Sequence, residues 1–259
     1  MTQNASDTPN NKNPESQWFG EKSVSPDQKT EKVIEVFDSV ADKYDIMNDV
    51  MSAGIHRLWK NHLIRKIKPR AGLHYLDVAG GTGDIAFRIR EKAGRGAKIT
   101  LCDLNTEMLS VGRDRAFNKG YLDDFEWVTG NAEALPLPDE SVDVYTIAFG
   151  LRNVTRIDNA LKDAYRVLRP GGRFFCLEFS HMEEPVMQKL YDAYSFAFIP
   201  KMGELITNDR DSYQYLVESI RKMPTQESLK QRVTEAGFSR SSYENLSFGI
   251  AAIHSGFKA

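Results

Sequence analysis

Two hydrophobic periods alternate along the central part of this chain of 259 residues. Between residues 75 and 179, short apolar runs are separated by stretches in which apolar residues recur every three or four positions. The short runs are typical of buried strands, and the longer spacing is typical of helices. Their regular alternation predicts an α/β protein, with a mostly parallel sheet covered by helices on both faces.

The boundaries of the predicted elements follow from where each pattern begins and ends. Strands are expected at 75–79, 99–104, 125–129, 142–149 and 173–179, and helices from residues 30 and 84 and over 55–67, 106–119, 157–168 and 226–236. Segments 241–246 and 250–257 meet at Gly249. This joint is short enough for a hairpin, which predicts an antiparallel strand at one end of the sheet.

The domain organisation follows from the length and from two changes in composition. A chain of this length can form one domain with a large core. Residues 1–25 are dominated by Asn, Ser, Thr, Pro and Gln, and are predicted to be a flexible tail. Residues 26–259 are predicted to form a single domain, with a helical cover at about 28–68 and a helical insertion at about 182–223.

A glycine-rich turn follows the first predicted strand. Gly80, Gly81 and Gly83 lie between this strand and a helix, as in turns that bind nucleotide cofactors. The spacing also satisfies the loose dinucleotide pattern, so a nicotinamide enzyme has to be considered. A diphosphate would, however, meet the carboxylate of Asp84 at the start of the helix. S-adenosylmethionine carries a sulfonium and an ammonium and no phosphate, so Asp77 and Asp84 favour it.

An acidic residue ends the second predicted strand. Asp103 lies twenty positions after Gly83, where the acid of a βαβ cofactor site accepts hydrogen bonds from ribose hydroxyls. Alternatively, Asp103 or Asn105 caps the helix that begins at Thr106. Strand, turn, helix, strand and acid occur in the order that the cofactor site requires, and we therefore favour the cofactor role for Asp103.

Two further loops follow strands of the predicted sheet. Asn131 and the backbone amide of Ala132 can recognise an adenine edge, although an ordinary turn explains them equally well. The loop after the fourth strand contains Arg152 and Asn153 beside Gly150, and it should face the methyl group of the donor. An arginine at a strand tip is commonly a surface charge. We favour a functional polar pair that points inward.

Composition and charge argue against some functions and favour one cellular compartment. With 34 basic and 36 acidic residues, the net charge of −2 argues against nucleic-acid binding by charge alone. Cys102 and Cys176 fall in predicted buried strands without CxxC spacing, so we expect reduced thiols and no disulfide or metal site. No signal peptide and no apolar run of about 18 residues is found, which predicts a cytoplasmic protein that is at most peripheral to a membrane.

Five stretches of the chain together resemble one enzyme family. They are Tyr44 to Trp59, Ala79 to Asp84, Asn131 to Pro136, Phe149 to Asn153 and Arg166 to Gly172. Through these stretches, and over most of its length from about residue 31, the chain is similar to the ubiquinone/menaquinone biosynthesis C-methyltransferases. The resemblance implies a Rossmann-like class I fold that depends on S-adenosylmethionine, with a seven-stranded sheet whose last strand is antiparallel.

The same resemblance implies particular site residues. Donor contacts are expected at Thr82, Asp103, Asn131 and Ala132. The family often has a serine immediately before Phe-Gly-Leu-Arg-Asn, whereas this chain has Ala148, so a side-chain hydroxyl contact is not available there.

The resemblance also implies the reaction. A methyl group would pass to a ring carbon of 2-polyprenyl-6-methoxy-1,4-benzoquinol or of demethylmenaquinol. Arg152 is then the candidate for stabilising the developing quinolate, with Asn153 positioning Arg152 or the quinol. The base remains open: a water held by Arg152 and an acid such as Asp45 is one candidate, and His56 is a weaker one. An aromatic row at 191–198 is typical of a core but could line a channel for the prenyl tail.

Two other functions and several partners stay open at this point. An NAD(P)-dependent oxidoreductase would explain Gly81, Gly83 and Asp103, and a non-catalytic subunit of a quinone-synthesis complex that binds S-adenosylmethionine would keep the fold. A polyprenyl quinol is the expected substrate. Contact with a membrane or with a quinone-synthesis complex, through the basic stretch 65–70 for example, and formation of a homodimer are left open.

Overall fold

The computed structural model describes residues 18–19, 22–40, 48–49, 52, 54–121, 123, 125–182 and 210–259. The strands are β1 (Trp18–Phe19), β2 (Lys22–Ser23), β3 (His74–Val78), β4 (Lys98–Asp103), β5 (Phe125–Thr129), β6 (Val142–Ala148), β7 (Leu168–Phe179), β8 (Ser239–Leu246) and β9 (Ala251–Phe257). The helices are α1 (Pro26–Val40), α2 (His56–Ile67), α3 (Asp84–Ala93), α4 (Thr106–Asn118), α5 (Ile157–Val167), α6 (Arg210–Arg221) and α7 (Gln226–Glu235).

Seven of these strands form one sheet, in the order β5-β4-β3-β6-β7-β9-β8. The first five are parallel, and β9 is antiparallel to both β7 and β8. The predicted mostly parallel, seven-stranded sheet is therefore confirmed. We expected the antiparallel strand at one end of the sheet. Instead, β9 lies between β7 and β8, one position in from the edge.

The sheet has a hydrophobic core on each face. One core includes Trp59 and Leu63 of α2 and Ile89 of α3, packed against residues such as Leu177 of β7. The other includes Leu161 of α5, together with residues of α7. Helices on both faces are thus explained by the sequence, since the parallel strands are apolar on both sides.

The N-terminal part departs from the prediction in two places. Helix α1 begins at Pro26, four positions earlier than expected, because Ser25 and Gln28 form a reciprocal capping box and proline suits the first helical position. Part of the segment predicted as a tail also forms structure. Strand β1 pairs with β2, and the Phe19 ring stacks on Tyr215 with centroids 4.3 Å apart.

The start of β7 also differs from the prediction. We expected this strand to begin at Arg173, but it begins at Leu168. Its pairing with β6 shifts register in this region. Lys258 explains the extension, because its backbone exchanges hydrogen bonds with the amide of Gly171 and the carbonyl of Gly172.

Candidate active site

A cavity lies at the carboxyl ends of β3, β4 and β6, with α1 forming part of its wall. Open α/β sheets bind ligands at this edge, where the loops that follow parallel strands meet. The predicted site residues that line the cavity are Gly80, Gly81, Thr82, Asp103, Asn131, Ala132 and Asn153. These residues come from four separate loops, and the fold brings them to one wall.

The backbone turns sharply where two strands enter the cavity. Ala79 after β3 and Phe149 after β6 have φ values of 51° and 57°, in the left-handed region that side chains other than glycine rarely adopt. Gly81 has a φ of 50°, and a Cβ there would lie 2.9 Å from the Cε of Met108. Such conformations cluster at functional sites, and here they allow the loops to turn into the cavity wall.

Asp103 lies at the end of β4 and is held by the backbone. The amides of Gly81 and Asn105 donate to its Oδ2 and Oδ1, each at 2.8 Å. Burial raises the pKa of Asp103 to about 6, against these two bonds. The helix cap is Asn105, whose Oδ1 accepts from the amide of Met108. The alternative of Asp103 as the cap is therefore wrong, and its carboxylate is available to the cavity.

The loop after β5 forms an Asn-containing turn that also reaches the cavity. Asn131 Oδ1 accepts from the amide of Glu133 at 2.9 Å, and Asn131 also pairs with Ala134 across a turn. At the same time, Asn131 and Ala132 line the cavity. The turn explains how the loop is held, and the recognition of an adenine edge by Asn131 and Ala132 stays a prediction.

Two residues of the glycine-rich turn have different positions. Thr82 is buried and lines the cavity, as expected. Gly83 precedes α3 with a φ of 87°, and a Cβ there would lie 2.8 Å from the Phe87 ring. Gly83 is absent from the described cavity wall. Gly83 has a structural reason to be glycine, since only glycine fits this turn beside Phe87, and its contact with the cofactor stays a prediction.

Asp77 lies at the base of the cavity, inside β3. Its Oδ1 accepts from the Thr146 hydroxyl at 2.7 Å. Its Oδ2 is buried with no hydrogen bond of normal geometry among the described residues. Burial, only partly offset by Thr146, raises the pKa of Asp77 to about 7. A cation in the cavity would stabilise the ionised form of this carboxyl group.

Asp84 begins α3, as predicted, but its charge is already paired. Its two carboxylate oxygens accept from Nζ of Lys60 and Nε of Arg88, both at 2.7 Å. Burial opposes ionisation, yet these cations lower the pKa of Asp84 to about 2. The expectation that Asp84 repels a diphosphate assumed an unpaired carboxylate. That assumption was wrong, and the evidence against a dinucleotide has to come from elsewhere.

Arg152 is placed differently from the expectation. It lies in a 3-10 turn, Leu151–Asn153, and its side chain is fully buried. Nη1 donates to Glu178 at 2.7 Å and to the carbonyl of Phe149 at 2.6 Å. Arg152 is not part of the described cavity wall, because Glu178 of β7 draws the guanidinium into the core. Its Nε and Nη2 are buried without a partner among the described residues.

The other catalytic candidates divide into three cases. Asn153 lines the cavity, and its Oδ1 accepts from the Tyr215 hydroxyl at 3.0 Å. His56 is buried and its Nε2 lies 2.8 Å from Asp49, a structural arrangement. Asp45 and the aromatic row at 191–198 lie outside the residues that the structure describes.

Comparison with known proteins decides the family. The family model described as the ubiE/COQ5 methyltransferase family matches residues 25–258. The chain belongs to the ubiE/COQ5 methyltransferase family. It is 57% identical over 242 residues to a Brucella abortus protein named ubiquinone/menaquinone biosynthesis C-methyltransferase UbiE, covering 93% of this chain and 90% of the relative. The resemblance noted in the sequence is thereby confirmed.

Solved structures agree on the fold of this ubiE/COQ5 methyltransferase. A possible histamine N-methyltransferase from Thermotoga maritima aligns with a TM-score of 0.61 at 18% identity, covering 87% of this chain and 99% of the other. A methyltransferase from Aquifex aeolicus that depends on S-adenosylmethionine aligns with a TM-score of 0.57 at 16% identity, covering 77% and 89%. At this identity the likeness establishes the class I fold and not the substrate.

The cavity of the ubiE/COQ5 methyltransferase fits S-adenosylmethionine chemically. Asp103 offers acceptors for ribose hydroxyls, and the buried carboxyl group of Asp77 suits a ligand with positive charge. The donor would supply an activated methyl group there. Sequence reasoning missed Lys60 as a lining residue and Glu178 as the partner of Arg152. Both come from distant elements, and only their apolar surroundings, which are unusual for charged residues, could have indicated them.

Proposed function

We propose that this chain transfers a methyl group from S-adenosylmethionine to a ring carbon of a prenylated quinol. The substrate is 2-polyprenyl-6-methoxy-1,4-benzoquinol, demethylmenaquinol or both. The observation that carries the proposal is the 57% identity, over nearly the whole chain, to a C-methyltransferase of ubiquinone/menaquinone biosynthesis. The acid-lined cavity at the carboxyl edge of the sheet supports it.

The residues around β3 to β5 would hold the donor. Asp103 accepts hydrogen bonds from the ribose, and Asn131 and the backbone of Ala132 bind the adenine edge. Gly80 and Gly81 allow a close approach of the backbone, and Thr82 completes the turn. The support for these roles is that all of these residues line one cavity.

The acceptor end of the site has to make a carbon nucleophilic. Loss of a ring hydroxyl proton pushes electron density onto the neighbouring carbon, so the protein must orient the ring, take up the proton and stabilise the quinolate. Asn153 lines the cavity and can bind a ring hydroxyl. For Arg152 we propose a positioning role: its bonds to Glu178 and Phe149 hold the turn that carries Asn153. A base at Asp45 stays a proposal.

The two competing functions are less well supported. A nicotinamide oxidoreductase would share the fold, but the family and its curated relatives are methyltransferases. A non-catalytic subunit that binds the donor would not need a polar group at the acceptor end. Asn153 with its Tyr215 hydrogen bond is such a group, and this favours the enzyme.

Mass spectrometry of quinones tests the proposed function in the cell. Cells that lack the gene should accumulate a ring that is one methyl group short of the mature quinone. The gene should restore the mature quinone, whereas a copy with Asp103→Ala should not. Normal quinones in the deleted cells would contradict the proposal, and the identity of the accumulated precursor would name the substrate.

We also propose that the protein meets its prenylated acceptor at a membrane surface or within a quinone-synthesis complex. No helix among the described residues is long and apolar enough to cross a membrane. Arg65, Lys68 and Arg70 are exposed basic residues at the C-terminal end of α2 and just after it, and they would attract anionic lipid. Trp59 is buried and does not serve as an anchor. Cosedimentation with anionic vesicles, exceeding that with neutral vesicles and falling with salt, is the expected result.

A further inference from the structure

Helices α2 and α3 bring an ammonium group into the wall of the donor cavity. Lys60 of α2 is 3% exposed, and its Nζ lies 2.7 Å from Oδ2 of Asp84 and 5.8 Å from the centre of the Phe149 ring. Lys60, Asp84 and Phe149 all line the cavity. Lys60 is the one cation on the described part of that wall, and no step considered so far uses it.

Lys60 shares its carboxylate partner, Asp84, with a second cation. Asp84 is shared between Lys60 and Arg88, whose Nε donates to Oδ1. Two cations thus share one carboxylate, and Arg88 is in part solvated because 24% of its side chain is exposed. A buried ammonium group is costly unless it is paired, so this cluster favours an anion on the open side of Lys60. The position of α3 adds to this, because its N-terminus also carries partial positive charge.

Other lining carboxylates limit where a ligand anion can lie. Asp77 and Asp103 make the base of the cavity and its β4 side acidic, which suits a sulfonium and ribose hydroxyls and repels a carboxylate. Lys60 is the described place on the wall where a carboxylate is attracted. A donor with a zwitterionic amino-acid end therefore fits in one direction, with that end toward α2 and α3.

We propose, on the basis that S-adenosylmethionine is the donor, that Lys60 binds the α-carboxylate of its methionyl part. Asp84 is a positioning residue: it fixes the Lys60 side chain and, with Arg88, keeps the ammonium group turned to the cavity. The helical cover before the sheet thus contributes to donor recognition through α2. Because the contact is made to the amino-acid end, it serves S-adenosylmethionine and the demethylated product equally.

Calorimetric titration with four ligands tests this assignment. Lys60→Met keeps an unbranched side chain that is one atom shorter and removes its charge. It should weaken binding of S-adenosylmethionine and S-adenosylhomocysteine by roughly ten- to a hundredfold, as expected for one charge-assisted hydrogen bond. Decarboxylated S-adenosylmethionine and methylthioadenosine lack the carboxylate. Their affinities should change by less than a factor of about two, because their complexes never contain the hydrogen bond that the variant removes.

A matched variant and two outcomes make the test decisive. Lys66→Met removes a lysine of the same helix that pairs with Glu244, and it should leave all four affinities unchanged. If Lys60→Met weakens all four ligands equally, the residue only supports the fold and the assignment is wrong. If it leaves S-adenosylhomocysteine binding intact and lowers turnover, Lys60 acts on the quinol instead. Failure of the wild type to bind any of the four would overturn the donor as well.

Discussion

Asp103 has two sets of partners, and a substitution should separate them. Its oxygens accept from the amides of Gly81 and Asn105, and they face the cavity. Asp103→Asn keeps the shape and one acceptor but removes the charge. Charge-assisted bonds contribute about 1.5 to 3 kcal/mol each, so the affinity for S-adenosylmethionine should fall by roughly ten- to a hundredfold. An unchanged affinity in a folded variant, measured by calorimetry, would remove Asp103 from the donor site.

The raised pKa of Asp77 predicts that binding of the donor releases protons. Its pKa of about 7 means that near pH 7 the carboxyl group is partly protonated in the free protein. A cationic donor stabilises the ionised form, so binding should release roughly half a proton at pH 7, and affinity should rise with pH up to and through that value. Titrations in buffers of different ionisation enthalpy measure this release. Asp77→Asn should remove most of this release, with a smaller part left from Asp103, whose pKa is about 6. Release that is unchanged in this variant would assign the proton to another group.

The raised pKa of Asp77 also makes the free energy of unfolding depend on pH. Asp77 has a folded-state pKa above its ordinary value of 3.8, so the folded protein holds more protons than the unfolded chain between these two values. The contribution of Asp77 to the free energy of unfolding should therefore decrease as pH rises from about 4 to about 7. Denaturant unfolding of Asp77→Asn beside the wild type should show a smaller decrease over this range. Parallel pH profiles would contradict the assignment.

At the scale of elements, the Arg152–Glu178 pair connects the 3-10 turn to β7. Both side chains are almost completely buried, so removing one leaves the other charge without its partner. Arg152→Ala should lower the free energy of unfolding by about 3 to 5 kcal/mol. The double variant with Glu178→Ala should recover part of that loss. An Arg152→Ala protein as stable as the wild type would contradict this structural role of the pair.

Sequence patterns predicted those elements that local sequence determines. The strands 125–129 and 142–149 and the helix from residue 84 agree with the structure within one residue, because apolar period and flanking turns mark them clearly. The direction of the Arg152 side chain could not be predicted in this way. It depends on Glu178, which is distant in the chain, and a period of two or 3.6 residues carries no information about such pairs.

The residues of the candidate site also divide into those that local sequence predicts and those that depend on tertiary packing. Asp103 was predictable because its role depends on order along one βαβ unit. Lys60 was missed because its cavity position arises from packing of α2 on α3, and the charge of Asp84 was misjudged for the same reason. Local spacing therefore located the cofactor edge of the sheet, whereas charge balance within the cavity required the tertiary structure.

At the scale of the whole molecule, donor binding should stabilise the fold. The cavity wall joins α1 and α2 to the loops of the sheet, so a ligand there links the helical cover to the core. A ligand at a hundred times its dissociation constant adds about 2.7 kcal/mol, which raises the melting temperature by about 5 to 10 °C for a protein of this size. Thermal melts should show this rise with S-adenosylmethionine and none with NAD. The opposite pattern would support an oxidoreductase.

Methyl transfer to a defined ring tests the central claim most directly. The purified protein is incubated with S-adenosylmethionine that carries an isotopically labelled methyl group and with a short-tailed prenyl quinol, with and without dithionite to keep the ring reduced. A reduced ring has electron-rich carbons and a hydroxyl proton to lose, and the oxidised quinone has neither. Mass spectrometry should find the label on a ring carbon of the reduced form only. Label on oxygen, equal labelling of the oxidised ring or no transfer would contradict the account.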